Sequence, residues 1–130
     1  MTDQTRRNYD LQERVIDFAV RVLSAVESLP NSRVGNHVAG QLIRSGTSPA
    51  SNYGEAQSAE SRKDFIHKMK VALKELRETL VWLWIVQRTG LIEGADRCAL
   101  LIEENNELIS IFVASIATAQ KNLQDQQGVE

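Results

Sequence analysis

Few side chains in this sequence could do acid–base, nucleophilic or metal chemistry. It has two histidines, His37 and His67, and a single cysteine, Cys98. Neither histidine has a carboxylate at the Glu-x-x-His spacing that builds di-iron sites in helical bundles. There is no His-Glu-x-x-His, no Walker-type glycine loop and no Cys-x-x-Cys, so zinc hydrolysis, nucleotide cradling and dithiol redox chemistry lack their usual starting points. Cys98 precedes Ala99 and Leu100 and reads as a partly buried, inert thiol. His67 reads as a surface or interface residue rather than a metal ligand. The expectation is a protein with no catalytic residues, no metal, no cofactor and no small-molecule substrate.

Three groups of residues are more informative. Lys63, His67, Lys70, Lys74 and Arg77 recur at steps of four, three, four and three. On a helix they share a face roughly 130° from the apolar stripe. A cationic run of about 20 Å could track nucleic-acid phosphates. The plainer reading is a solvated face, softened by a Lys74–Glu78 pair one turn apart. Secondly, Gln41, Arg44, Ser45, Ser48, Asn52 and Glu55 fall together on a helix, away from its apolar side. Serine and asparagine are weak helix formers. A subunit contact with short polar groups bonding across helices would explain them, and a serine-rich exposed face near a kink is the alternative. Thirdly, the run from Leu80 to Val86 is apolar all round and holds Trp82 and Trp84. One buried stripe is all that a lone bundle requires. Trp82, well off the stripe, therefore points, with Trp84, to a subunit interface, with a wide core at the bundle end as the alternative.

The elements that must position these residues are helices. Leu11, Val15, Phe18, Ala19, Val22, Val26 and Leu29 are spaced by threes and fours, which marks one amphipathic face. Asp10 and Glu13 read as a capping box, and Pro30 as a stop, which predicts a helix over 11–29. A second helix is expected over 34–56, with Ala39, Leu42, Ile43, Gly46, Ala50 and Tyr53 inward. Pro49 would kink it, in preference to breaking it into two at Ser48. A third runs over 61–88 on Phe65, Met69, Ala72, Leu73, Leu76, Leu80 and Leu83, ending at the Thr89-Gly90 cap signal. A fourth, capped near Asp96, runs over 96–124 on Leu101, Leu108, Phe112, Ala119 and Leu123. Residues 125–130 read as frayed. No segment alternates as a strand does. The expectation is one all-α domain over 1–130, an antiparallel up-and-down four-helix bundle.

Composition narrows the class further. The 130 residues fit one domain. One cysteine excludes a disulfide scaffold and suits a reducing cytoplasm. No apolar run approaches the ~20 residues of a membrane helix, and Met1 to Asp10 lacks the apolar stretch of a secretion signal. A cytoplasmic protein without membrane contact is expected. The net charge of −2 excludes a uniformly basic nucleic-acid binder, but the charge is uneven. Residues 36–88 carry eight basic and five acidic groups, and residues 89–130 carry two and seven. A basic third helix beside an acidic fourth one could serve nucleic acid, or subunits pairing face against face.

The stretch Gln41-Leu-Ile-Arg-Ser-Gly-Thr-Ser-Pro-Ala-Ser-Asn-Tyr-Gly-Glu-Ala56, with Ser61-Arg-Lys-Asp-Phe-Ile-His-Lys68 and Ala72-Leu-Lys-Glu-Leu-Arg-Glu-Thr79, resembles the bacterial four-helix-bundle proteins named for reading frames in 23S rRNA intervening sequences. The resemblance runs from about Tyr9 to Phe112 and is strongest over 41–84. It implies a bundle that assembles as a ring, usually a homopentamer, and a family without established enzymatic activity. It also implies kinship with the accessory protein of diversity-generating retroelements, whose basic pentameric barrel binds nucleic acid. Those accessory proteins are strongly basic, unlike this chain. The family-motif positions here are Arg44, Ser45, Ser48, Asn52, Glu55, Asp64, Phe65, Lys74, Glu75 and Glu78. The expected partner is a second copy of the chain, with RNA or DNA as a further candidate.

Overall fold

The computed structural model describes residues 3–128, with side chains described for all of these except residues 4–9 and 95. The chain forms four helices, α1 (Asp3–Val26), α2 (Arg33–Gln57), α3 (Arg62–Thr89) and α4 (Ala95–Gly128). No strand occurs among the described residues. Each helix packs on the next, and α1 also meets α4, most sparsely of the four contacts. Among the described residues the backbones of α1 and α3 do not approach one another, nor do those of α2 and α4, so each pair lies across a diagonal. One core runs between the four helices, through Phe18, Val22, Leu42, Tyr53, Met69, Leu76, Leu83, Leu108 and Phe112. The Tyr53 ring meets Phe112 edge-on, with centroids 5.9 Å apart.

Local chemistry sets the boundaries. Ser32 and Ser61 cap α2 and α3, each hydroxyl accepting the amide three residues on, from Gly35 and Asp64 at 3.0 Å. Gly90 closes α3 with φ 68° and donates its N–H to the Val86 carbonyl at 3.1 Å, as the Thr89-Gly90 signal implied. The start of α1 is a correction. Asp10 is exposed in mid-helix, because nothing between residues 3 and 10 breaks a helix, so its pairing with Glu13 marks no beginning. Helix α1 also stops at Val26, four residues before Pro30. Helix α4 starts one residue before Asp96 and stays helical to Gly128. The expected fraying therefore does not begin at 125, and residues 129–130 lie outside the described ones. Pro49 sits inside an uninterrupted α2.

The buried arc of α2 is turned from the expected one. Ile43 is 43% exposed, while Ser45 is fully buried and Pro49 is buried with it. Helix α2 contacts both α1 and α3, so its inward arc is bounded by two neighbours. Small residues sit inside that arc because the backbones come close. A Cβ on Gly46 would lie 2.7 Å from Val22 Cγ1.

Polar groups fasten the seams. Arg14 on α1 donates to Glu104 (2.5 Å) and Glu107 (2.8 Å) on α4. Arg97 on α4 returns to Ser24 (2.7 Å) and Ser28 (2.8 Å). Asn105, fully buried on α4, sets its amide against the α3 backbone; with the amide oriented so that each atom meets a complementary partner, it donates to the Leu76 carbonyl and accepts from the Leu80 N–H, each at 3.1 Å.

Candidate functional site

Several of the family-motif residues, Arg44, Glu55, Glu75 and Glu78, meet at the seam between α2 and α3. The Arg44 guanidinium reaches across it, with Nη1 donating to Glu75 at 2.8 Å and Nη2 donating to Glu78. Positions 75 and 78 lie one turn apart on the same flank of α3, so a single planar fork spans both carboxylates. These bonds raise the Arg44 pKa above its ordinary value, the Glu78 bond foremost. Further along the seam, Lys68 Nζ donates to Glu55 at 2.8 Å, and that bond raises the Lys68 pKa.

Among the described residues, the short polar groups of this arc make no bond between helices. Asn52 Nδ2 donates back to Ser48, to its carbonyl at 3.0 Å and its hydroxyl at 2.9 Å. Ser51 also donates to the Ser48 carbonyl. Three hydrogen bonds from two side chains thus gather on the residue just before Pro49 in sequence. On the α3 side, Thr79 is fully buried and its hydroxyl donates to the Glu75 carbonyl at 2.8 Å. The Ser45 hydroxyl is buried with no hydrogen-bond partner among the described residues. Asp64 is half-buried and supplies the amide that Ser61 caps, and Phe65 is half-buried beside the core. The expectation of an outward polar face on α2 is therefore corrected. Ser45 is inside, Gln41, Ser48 and Asn52 are half-buried, and the polar arc is the flank that α3 covers. Sequence periodicity ranked serines as outward because it weighed polarity and not size.

The cationic stripe stands apart from this seam. Lys63, His67, Lys70, Lys74 and Arg77 are all exposed on α3. The expected Lys74–Glu78 pair is not made, because Glu78 is turned to Arg44. Among the described residues, Lys63, Lys70, Lys74 and Arg77 take part in no ion pair. Continued by the helical period, the same outer line runs on through Val81, Ile85 and Arg88, with Trp84 on its flank. Val81 is 49% exposed and Trp84 40%.

The two tryptophans differ, and Trp82, expected outside the apolar stripe, is the more covered. Trp82 is half-buried against the core and meets the His37 ring edge-on, with centroids 5.8 Å apart. Trp84 is the more exposed of the two. A flank position adjoining α2 is covered, whereas an outer one is not.

The chemical inventory is thin. Cys98 is buried, and desolvation raises its thiol pKa against the pull of Arg97, which makes a poor nucleophile. Burial pushes Tyr53 up to about 12. Among the described residues no cluster of three His, Cys, Asp or Glu could hold a metal, and no helix is long and apolar enough to cross a membrane. An open cleft of about 810 Å³ is lined by Leu11, Tyr53, Phe65, Thr118 and Asn122, among others. Sequence reasoning missed Asn105 and Arg14. Asn105 was within reach, since it occupies the core register Leu101, Asn105, Leu108, Phe112. Arg14 was not, since nothing local names its partners on α4.

The fold and the seam together define an all-α protein of four helices whose signature residues tie α2 to α3. The family model for the 23S rRNA-intervening sequence protein matches residues 7–114, and the chain belongs to that family. It is similar to a protein of unknown function from the S23 ribosomal protein family of Bacteroides thetaiotaomicron, known from a crystal structure. The two are 33% identical, with a TM-score of 0.76, over 82% of this chain and 97% of that one. No curated protein matches the chain.

Proposed function

We propose that this protein is a non-enzymatic building block: an antiparallel, up-and-down bundle in the cytoplasm that assembles with copies of itself into a ring, a homopentamer in the form the family resemblance implies. The cleft supports the antiparallel order, since its lining joins the N-terminal half of α1 (Leu11), the end of α2 (Tyr53, Gln57), the start of α3 (Arg62, Phe65) and the last third of α4 (Thr118, Asn122). The observation that carries self-assembly is the exposed apolar surface. Scattered single hydrophobics are ordinary on a monomer. Here they form stripes, Ile16, Val20 and Leu23 on α1 and Val81, Trp84 and Ile85 on α3, each 38–56% exposed. Light scattering at micromolar chain concentration should give a mass several times 14.6 kDa; a monomer would refute the proposal.

A second reading, binding of RNA or DNA, is favoured by the cations of α3. Lys63, Lys70, Lys74 and Arg77 are exposed and unpaired among the described residues, and a ring would multiply them by the subunit number. Binding should weaken steeply with salt. Retention of full binding in Lys70→Glu with Lys74→Glu, or no binding at low salt, would exclude this stripe.

A further inference from the structure

Resting on the self-assembly reading, we propose that the outer face of α1 in one copy packs against the C-terminal half of the outer face of α3 in the next. The α1 stripe Ile16–Val20–Leu23 follows steps of four and three, so it is one continuous apolar line of about 10 Å. Exposed acids border it, namely Glu13, Asp17 and Glu27. Among the described side chains, the cations of α1 do little to offset them. Arg14 is held by Glu104 and Glu107 on the α4 flank, and Arg21 lies 4.0 Å from Asp17 alone.

The α3 face is its converse. Val81, Trp84 and Ile85 are bordered by Lys74, Arg77 and Arg88, all exposed. The α3 carboxylates that would cancel this charge, Glu75 and Glu78, are turned to the α2 flank and bonded to Arg44. An acid-rimmed apolar line thus meets a base-rimmed one. Complementary rims select the partner and the register while the apolar centre, with its tryptophan, supplies the affinity. The acidic face in this pairing is the one that α1 carries. Helix α4, the more acidic by sequence, has Glu104 and Glu107 tied to Arg14.

The diagonal placement of α1 and α3 gives the contact its symmetry. Their outer faces point to opposite sides of the bundle, so one copy cannot satisfy both through a single partner. The interface is head-to-tail, and its repetition closes a ring or extends a filament.

Complementation between two full-length variants tests this. Val20→Arg places a cation on the α1 line and leaves α3 intact, while Trp84→Glu does the reverse. Each should keep the wild-type helical signal and lose association by about thirtyfold or more. Mixed, they should associate again, because the intact α3 of one meets the intact α1 of the other. Wild-type assembly by either variant alone, or a mixture that stays monomeric, would overturn the pairing. Should Trp84→Glu fail to fold, Lys74→Glu with Arg77→Glu replaces it. That variant should lose association alone and regain it with Glu13→Lys, Asp17→Lys, and no recovery would overturn the pairing equally. A monomeric wild type refutes self-assembly itself, whereas an assembled wild type whose variants do not complement refutes only this contact.

Discussion

Gly46 gives the packing of α1 on α2 a quantitative test. A methyl group there would lie 2.7 Å from Val22 Cγ1 and 3.2 Å from both Cβ and Cγ2, where carbon atoms normally rest at about 3.5–4.0 Å. Val22 is fully buried, and a β-branched side chain in a helix has one strongly preferred rotamer, so it cannot turn aside. Gly46→Ala must separate the helices or strain Val22, at about 1–3 kcal/mol for overpacking. Against that, alanine gains about 1 kcal/mol over glycine in a helix interior. The net result is a loss of roughly 0–2 kcal/mol. Gly40 and Gly54 lie in the same helix with no neighbouring atom within 4 Å of an added Cβ, so each alanine there should show the gain alone. The difference between Gly46→Ala and either control should be about 1–3 kcal/mol, roughly 4–12 °C in Tm at about 4 °C per kcal/mol. Urea and thermal unfolding followed by far-ultraviolet circular dichroism, at one fixed chain concentration, measure it. An equal rise in stability at all three positions would refute the close approach of α1 and α2.

Three further perturbations probe the buried polar groups. Ser45→Ala removes a buried hydroxyl that has no partner among the described residues, so chemical unfolding should show no loss and up to about 1 kcal/mol of gain; a clear loss would mean that the hydroxyl is satisfied. Asn105→Asp replaces the donor to the Leu76 carbonyl with a buried charge and should cost about 3 kcal/mol or more at neutral pH. That deficit relative to wild type should shrink in acid, where the carboxyl is neutral. Tyr53, raised to about 12 by burial, is stabilising in its neutral form. Its contribution is fully present below the ordinary phenol pKa near 10 and lost as pH rises towards 12, by about 2–3 kcal/mol at most. Alkaline unfolding of Tyr53→Phe should lack this component, and an unchanged alkaline profile would count against it.

Much of the fold was legible because it rests on local rules. The spacing of Val15, Phe18, Val22 and Val26 dictates a buried face whatever lies opposite, and it is buried. Ser61 and Gly90 act on backbone groups within a turn of themselves, so they mark the ends of α3 without reference to the rest of the chain. The motif from Arg44 to Thr79 was likewise sufficient for the family. Locality also explains the misreadings. Asp10 and Glu13 carry a start signal that no breaker enforces, and polarity alone placed Ser45 outside.

What remained for tertiary structure was the choice of partners. Arg44, Glu75 and Glu78 were each visible as charged residues, but only the packing of α2 on α3 brings one guanidinium to two carboxylates and so leaves Lys74 unpaired. The same packing covers Trp82 and leaves Trp84 open, two positions that differ by 200° around a helix at about 100° per residue. Periodicity gives the angle of a side chain about its own axis. Which angles meet another helix depends on where that helix lies, and that position is fixed by contacts distant in sequence. The sequence by itself therefore determined four helices, the Gly90 cap of α3 and the family. Tertiary structure decided which charges are spent within the chain and which apolar lines are left for another.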